Sequence, residues 1–494
     1  MYPASSAIVN QTFQSDARRS AGPLASRPGK RRFGPEFAPG LTHALELVVI
    51  ALSGLGLFAS PYFQPDYQSQ HVFCIVFVVL CFAHLANWAS LVSVNALMRP
   101  LSQGDNILLS LCTAFLFLLA IVYGLDVYYF FEPYWLGSFF GLAVGGVFGV
   151  RLCAYLVLDR LARSEVIGRN LAVLGTGVHA GRFLGRLTRN RPYFTRIVGA
   201  FGAPGDERPD QLSGVPVLGG FDDLLQQARL GTVDDIVVAL PWSADRAVIE
   251  MIERLKELPV NVYLGSDLIG FDLNSRPVLG PFTQFPVFEV VQRPISGWSY
   301  ATKLVLDYSV AALVLLVLLP LLMLVALAIR LESPGPVLFR QQRLGFNNKP
   351  FSIFKFRSMY HDGDSTGAVV QACPGDPRVT RVGRIIRATS IDELPQLLNV
   401  LNGTMSLVGP RPHAISHNEE YGRQIRGYFA RHKVKPGITG WAQVNGLRGE
   451  TRDLDLMRRR VEHDVYYTEN WSIFFDVRIL LSTVLVVLFQ KAAY

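Results

Sequence analysis

Two adjacent carboxylates, Asp392 and Glu393, sit in the stretch Thr389-Ser-Ile-Asp-Glu-Leu-Pro-Gln-Leu-Leu-Asn-Val-Leu401, which is followed by Val408-Gly-Pro-Arg-Pro412. The spacing predicts a helix that begins at this dyad. Asp392 serves as N-cap, Pro395 takes the first turn, where its missing N–H is not needed, and Leu394, Leu397, Leu398 and Leu401 form an apolar stripe behind it. There the helix dipole and free N–H groups hold the Asp392 carboxylate ionised and attract a phosphate. An ionised carboxylate beside a phosphate site is what nucleophilic attack on phosphorus requires. An acidic pair opening an ordinary surface helix would look the same, because acidic residues favour helix starts for structural reasons alone. The neighbouring segments decide between these readings.

Those segments are Ser333-Pro-Gly-Pro336, the basic run Lys355-Phe-Arg-Ser-Met359, Asp376-Pro-Arg-Val-Thr-Arg-Val-Gly383, Gly409-Pro-Arg-Pro412 and Lys435-Pro-Gly-Ile-Thr-Gly-Trp-Ala-Gln-Val444. In that order they resemble the polyprenyl-phosphate hexose-1-phosphate transferases, the large monotopic phosphoglycosyl transferases of bacterial polysaccharide assembly. The resemblance runs from Ser296 to the end of the chain. It implies transfer of hexose 1-phosphate from a UDP-sugar to undecaprenyl phosphate with release of UMP, initiating an exopolysaccharide or capsule repeat unit. Asp392 would attack the β-phosphorus to form a phospho-aspartate bearing the sugar, and the lipid phosphate would then attack that intermediate. With an ordinary carboxylate pKa of about 4, Asp392 needs no separate base.

Bringing an anion to a diphosphate calls for positive charge. Mg2+ held by Glu393, with Asp392 beside it, would neutralise the phosphates. Arg387 and Arg411 are the candidates to fork phosphate oxygens. Arg387 could equally be a solvated partner of Asp392; the family motif, which places an arginine there, favours the substrate role. Lys355 and Arg357 alternate with Phe354 and Phe356, so they share one face of a short strand and are candidates to contact nucleotide or lipid head group. An ordinary amphipathic strand reads the same way. Gln443 and Arg448, near the Pro436-Gly437 turn, resemble the segment that closes on the nucleotide. Asp464 is a further candidate on the family pattern, its alternative being a salt bridge to Arg458, Arg459 or Arg460. His413, His417 and His432 lack a zinc spacing and read as surface or supporting residues. The stretch Pro412-His-Ala-Ile-Ser-His-Asn-Glu-Glu-Tyr421 resembles the glucose-1-phosphate branch, which favours UDP-glucose over UDP-galactose as donor.

The elements that must position these groups include membrane segments. Hydrophobic residues make up 50% of the 494, and the mean hydropathy is +0.28, high for a soluble protein. The fold class expected is membrane α plus α/β. Residues 1–40, rich in Ser, Pro, Gly and Arg and without periodicity, read as a disordered basic cytoplasmic tail. Apolar stretches at 41–60, 71–94, 107–125 and 134–158 are each long enough to span a bilayer and make 41–160 a four-helix transmembrane bundle. Arg18, Arg19, Arg27, Lys30, Arg31 and Arg32 precede the first, Arg99 lies between the second and third, and Arg160, Arg163 and Arg169 follow the fourth. The other two loops hold Asp66, Asp126 and Glu132. The positive-inside rule therefore puts both ends in the cytoplasm, as for a multi-pass protein of the bacterial inner membrane. Glu46, inside the first span, reads as hydrogen-bonded within the bundle or snorkelling. Cys74, Cys81, Cys112 and Cys153 lie in apolar runs and Cys373 in a polar loop, neither a disulfide framework nor a zinc spacing.

Residues 161–295 alternate strand and helix signals, as in a Rossmann-like parallel-sheet domain. Asn170-Leu-Ala-Val-Leu-Gly175 enters a GxGxxA loop at Gly175, Gly177 and Ala180, the pattern that cradles a dinucleotide pyrophosphate; further strands fall at 197–201, 235–240 and 260–264. Asp206 and Glu207 lie in a loop rather than at the end of the second strand, so a structural or regulatory domain is favoured over a working dinucleotide site. Residues 296–331 are largely apolar, with Pro320 mid-run. A span there would place 332–494 away from nucleotide sugars, so a re-entrant membrane helix kinked at Pro320 is expected, with Lys303 and Arg330 meeting one anionic surface. The resemblance implies the same. Residues 332–494 then form a mixed α/β monotopic catalytic domain. It ends in an interfacial helix carrying Trp471, Phe474 and Phe475, with Asp476 and Arg478 interrupting the apolar run.

From Arg330 onward, 23 Lys and Arg face 15 Asp and Glu, so this end carries the whole net charge of +8. Such a balance suits membrane lipids and polyanionic substrates, and no nucleic-acid motif accompanies it. The alternative enzyme class is a membrane-bound NAD-dependent nucleotide-sugar dehydratase or epimerase. Its Tyr-x-x-x-Lys pair is absent: no Tyr has a Lys four residues on. A non-enzymatic scaffold leaves the dyad and arginines unused. A homodimer stays open.

Overall fold

The computed structural model describes residues 34–59, 68–99, 101–130, 133–164, 167–189, 193–241, 245–265, 287–360, 376–447 and 453–489. Most of the expected tail, Arg448 and Cys373 lie outside the described residues. The chain divides into two compact units, Met1–Arg169 and Asn170–Tyr494.

In the first unit, α1 (Phe37–Gly56), α2 (Gln68–Trp88), α3 (Gly104–Gly124) and α4 (Pro133–Arg163) are each long and apolar enough to cross a membrane. They share one core that includes Ile50, Phe82, Leu111 and Phe139. Glu46 is fully buried, and its carboxylate accepts from Arg151 Nε at 2.6 Å with His43 Nδ1 3.1 Å away. A carboxylate that would be costly in hydrocarbon is thus paired inside the helices. α4 runs beyond 158 to Arg163, its last turn closed by the exposed Arg163–Asp159 pair at 2.8 Å.

The second unit opens with a seven-stranded sheet. Its strands are β1 (Arg169–Leu174), β2 (Thr195–Gly202), β3 (Gln211–Leu212), β4 (Val215–Gly220), β5 (Asp235–Val238), β6 (Asn261–Gly265) and β7 (Val287–Val291), in the order β3-β4-β2-β1-β5-β6-β7. The β1/β5, β5/β6 and β2/β4 pairs are parallel, while β3 and β7 run antiparallel at the two edges. The sheet is therefore mixed rather than purely parallel. Alternation along β1 sends Ala172 and Leu174 into one core with α6 (Phe221–Leu230) and α7 (Asp245–Leu255). Leu171 and Val173 enter another with α5 (Val178–Arg189).

Next comes α8, a continuous helix of 36 residues from Gly297 to Glu332 with Pro320 inside it, also long and apolar enough to cross a membrane. Its Ala311 packs in a core with Leu397 and Val400, and its Leu322 and Ile329 pack with Phe356 and Ile386. Lys303 does not reach outward as expected at a lipid surface. It is buried, donating to Asp476 Oδ2 at 2.7 Å, Val408 O at 3.0 Å and Asp307 Oδ1 at 3.3 Å. The acid that breaks the last apolar run explains this. Asp476 is fully buried and also accepts from Tyr467 Oη at 2.8 Å and Trp471 Nε1 at 3.2 Å.

The remaining elements are a β8 (Leu338–Leu344)/β9 (Pro350–Phe356) hairpin, α9 (Arg381–Ala388), α10 (Gln396–Leu401), β10 (Ser406–Val408), α11 (Ile415–Gln424), β11 (Gly437–Thr439) parallel to β10, α12 (Trp441–Val444), α13 (Leu454–Glu469) and α14 (Ile473–Phe489). Removing the Lys303 cation leaves two buried carboxylates facing each other, a loss of about 3–5 kcal/mol by analogy with broken buried pairs. Lys303→Met is therefore expected to lower the melting temperature of the purified protein by many degrees, with Asp476→Asn in the same chain restoring part of the loss. A melting curve unchanged by Lys303→Met would contradict this account of the joint.

Candidate active site

The dyad does not open a helix. Ile391–Glu393 is a single 3-10 turn entered through Ser390 in the left-handed region (φ 57°), and α10 begins only at Gln396. Glu393 N donates to Ser390 O and Leu394 N to Ile391 O, while Leu397 N and Leu398 N bond to Leu394 O and Pro395 O. Pro395 has no N–H to continue the first of these turns into α10, so it separates the dyad from the helix. Asp392 is consequently not the N-cap, and no helix dipole holds its charge.

Tertiary contacts place the dyad instead. Asn399 of α10 donates to Ser352 O at 2.7 Å and accepts from Phe354 N at 2.9 Å, tying α10 to β9 one residue from Lys355. On the other side, β10 leads into the Arg411 turn. There Gly409 and Gly437 meet backbone to backbone: a Cβ on Gly437 would lie 2.1 Å from Gly409 N, and one on Gly409 would lie 2.4 Å from Lys435 O. No side chain fits between these loops, so both motifs require glycine there.

Charge converges on Glu393. Arg411 forks it, Nη2 donating to Oε1 at 2.6 Å and Nη1 to Oε2 at 3.1 Å, and Lys355 Nζ donates to Oε1 at 2.8 Å. Burial opposes the charged form of Glu393, but Arg411 and Lys355 outweigh it and hold the carboxyl well below the usual range. Asp392 accepts no hydrogen bond from any described residue. Its pKa is pushed up to about 6, by burial first and by the Glu393 charge second, against the pull of Lys355, Arg387 and Arg411. The ordinary value expected for Asp392 therefore does not hold. The two carboxyls are made unlike: one clamped and ionised, the other without a hydrogen bond from the described residues and raised to about 6.

The other candidates fall in different places. Arg387, in the last turn of α9, contributes to the field at Asp392. Arg357 lies just past β9 and turns away from Lys355. It is buried and donates to Ser333 O and Pro334 O, each at 2.7 Å, and to Ile329 O at 3.3 Å, satisfying carbonyls at the end of α8. Gln443 is buried in α12, with Nε2 3.4 Å from Ile438 O, and Asp464 is buried in α13. Neither bonds to the dyad among the described residues. Asp464 pairs with Arg431 at 2.7 Å, and Arg460 of the nearby run adds a weaker attraction. His413 and His432 are buried, not at the surface, and burial drives both pKa values down, leaving them neutral. No group of three or more His, Cys, Asp or Glu suited to a metal occurs among the described residues.

Sequence reading passed over Arg343 and Arg431. Burial and the neighbouring Arg411 lower the Arg343 pKa to about 10, while Glu393 acts the other way. Arg431 sits in a basic run directly before Lys435-Pro-Gly437, and that position is the one signal that pointed to it.

In the sheet domain, Gly175 (φ 121°) turns where an added Cβ would lie 2.8 Å from Ala239 O. One residue of this loop, Thr176, is engaged by the chain's own acid. Asp206 Oδ2 accepts from Thr176 N at 3.0 Å and Ala203 N at 3.1 Å, with Thr176 Oγ1 3.2 Å away.

Residues 298–490 match the family described as bacterial sugar transferase, and residues 92–265 match a CoA-binding domain. The UDP-glucose:undecaprenyl-phosphate glucose-1-phosphate transferase of Escherichia coli (strain K12) is 40% identical over 362 residues, covering 73% of this chain and 76% of that protein. The Xanthomonas campestris pv. campestris protein of the same name is 38% identical over 368 residues, 73% of this chain and 75% of its own. An undecaprenyl-phosphate glucose phosphotransferase of Komagataeibacter xylinus is 38% identical over 409 residues, 82% and 73%. With its clamped acidic dyad inside the matched segment and this similarity along most of its length, the chain belongs to the bacterial sugar transferase family.

Proposed function

We propose that this membrane protein transfers glucose 1-phosphate from UDP-glucose to undecaprenyl phosphate, with Asp392 as the nucleophile. The observation that carries the assignment is the division of labour in the dyad. Glu393 is held by a fork and an ammonium, whereas Asp392 accepts no hydrogen bond among the described residues and lies within the field of three cations. Attack of an Asp392 oxygen on the β-phosphorus breaks the bond to the α-phosphate oxygen and releases UMP. Attack of the lipid phosphate on the resulting acyl phosphate releases Asp392 and gives the lipid diphosphate sugar. Arg387 and Arg411 would stabilise charge on the transferring phosphate, and Lys355 would keep Glu393 ionised. Gln443 and Arg448 keep the nucleotide-closing role that the family resemblance implies, and Asp464 is assigned to its pair with Arg431. Arg357 is assigned to holding the end of α8.

Asp392, which accepts no hydrogen bond from the described residues, offers Mg2+ a carboxylate, and Glu393 would share an oxygen already bonded to Arg411 or Lys355; substrate phosphates and water would supply the other ligands. Glu393 and Asp392 would hold it, and when bound it would neutralise phosphate charge. The sheet domain is read as structural, because the Asp206 carboxylate sits at the mouth of the glycine loop on Thr176 N, where its charge would repel a pyrophosphate of NAD or CoA. The apolar helices of the first unit are assigned to the bacterial inner membrane as a transmembrane bundle with cytoplasmic ends. A re-entrant course for α8 is supported by bonds from one domain near both of its ends: Lys303 to Val408 and Asp476, and Glu332 to Arg381 N and Val382 N.

Wild-type protein with UDP-glucose, Mg2+ and undecaprenyl phosphate should release UMP, and Asp392→Asn should not. With lipid withheld, intact-mass analysis should find a hexose-phosphate adduct on the wild type alone; an adduct that persists in Asp392→Asn would remove Asp392 from its role. The rate of the first step should fall as pH drops through about 6, since only ionised Asp392 attacks. The stability sign is opposite. A raised pKa favours the fold below about 4, and that contribution is lost as pH rises through about 6. Asp392→Asn should thus stabilise the protein at pH 7.5 by on the order of 1–3 kcal/mol, a gain that shrinks toward pH 4. Finally, neither NAD+ nor CoA should shift the melting temperature, and saturable stabilisation by either would refute the structural reading of the sheet domain.

A further inference from the structure

Arg411 forks Glu393 through its side chain, and its backbone is gripped from beneath by a residue outside the recognised motifs. Arg431 Nη2 donates to Arg411 O at 2.6 Å. Arg431 Nη1 lies 2.7 Å from Nδ1 and 3.1 Å from Nε2 of His413, two residues further along the same turn. The turn is therefore held at two points by one planar group. Arg431 has no exposed surface, and its charge is balanced by buried Asp464 at 2.7 Å. A guanidinium only donates, so His413 must present a lone pair to it and stay neutral. Burial and the Arg431 charge favour that state. The ring is fixed in turn by Tyr428, whose Oη lies 2.7 Å from His413 Nδ1 and donates to Asn418 Oδ1 at 2.9 Å.

We infer that Arg431 is a positioning residue for the transfer reaction: through its bonds to the Arg411 carbonyl and the His413 ring it sets where the Arg411 fork stands over Glu393. The inference rests on the proposed role of Arg411. Charge alone does not account for the arrangement. A lysine could neutralise Asp464, but its single ammonium cannot address a carbonyl and an imidazole with two coplanar donors. Arg431, His413, Tyr428 and Asn418 form one chain of contacts behind the turn, so displacement of Arg431 frees the turn that carries Arg411.

A double-mutant cycle on the full-length protein tests this, reading UMP release from UDP-glucose in the presence of undecaprenyl phosphate. Arg431→Lys keeps the ion pair and should melt near the wild type, yet lose about tenfold or more in kcat/KM. In an Arg411→Ala background the same substitution should cost less than about twofold, because the group it positions is gone. An equal loss in both backgrounds would mean a general structural role and overturn the inference, as would full activity of Arg431→Lys beside an impaired Arg411→Ala. If Arg411→Ala itself is fully active, the proposed role of Arg411 fails and the inference falls with it. Should Arg431→Lys melt far below the wild type, His413→Gln replaces it in the cycle and is judged by the same outcomes, since it removes one of the two grips and leaves the ion pair intact.

Discussion

The organising interaction is the three-way charge contact of Arg411 and Lys355 with Glu393. Each partner arrives on a different element: Lys355 on β9, Arg411 on the turn after β10, and Glu393 on the 3-10 turn before α10. Three segments distant in sequence are therefore fixed at one point. Desolvating Glu393 disfavours its charge, and the paired cations more than compensate. Around that point the fold is arranged to keep the elements from drifting. Asn399 holds β9, the Gly409–Gly437 approach holds the Arg411 turn, and Arg431 holds its carbonyl.

A consequence is asymmetry between neighbouring carboxyls of nearly equal intrinsic acidity. Nothing in a pair of adjacent acids distinguishes a structural partner from a reactive one. In the proposed mechanism the hydrogen bonds do so, taking both oxygens of Glu393, while Asp392 accepts none from the described residues and is left with burial and a like charge. An unbonded carboxylate in a field of cations retains its lone pairs for an incoming electrophile, while its neighbour preserves the field.

How much of this was legible beforehand depends on the range of the interaction. Strand and helix signals of the sheet domain rest on local alternation, and the long apolar runs rest on composition; both are read along the chain. The residue types at the dyad, Lys355 and Arg411 stood out because they occur in strings with turn residues at fixed spacing. What was not legible was pairing across the fold. Arg357 looked like a neighbour of Lys355 and instead satisfies the end of α8, because β9 stops at Phe356. Asp464 finds its ion-pair partner in Arg431, outside the adjacent arginine run, with Arg460 adding to the attraction. The expected N-cap failed on a local detail: Pro395 separates two turns instead of sitting inside one helix. The GxGxxA loop has its familiar form, yet its Thr176 N–H bonds to Asp206, a residue the pattern does not include.

The buried joint at Lys303 ties the start of the apolar helix α8 to Val408, three residues before Arg411, and to Asp476 in α14. The long apolar helix and the segment bearing the candidate site therefore share one electrostatic knot and cannot be separated by cutting the chain where hydropathy changes. A fragment begun after Glu332 would retain every recognised motif but strand the Asp476 charge and the Val408 carbonyl without their ammonium. Efforts to obtain a water-soluble enzyme from this chain must keep the first turns of α8 and resurface its outer face, because the anchor supplies part of the framework on which the chemistry is built.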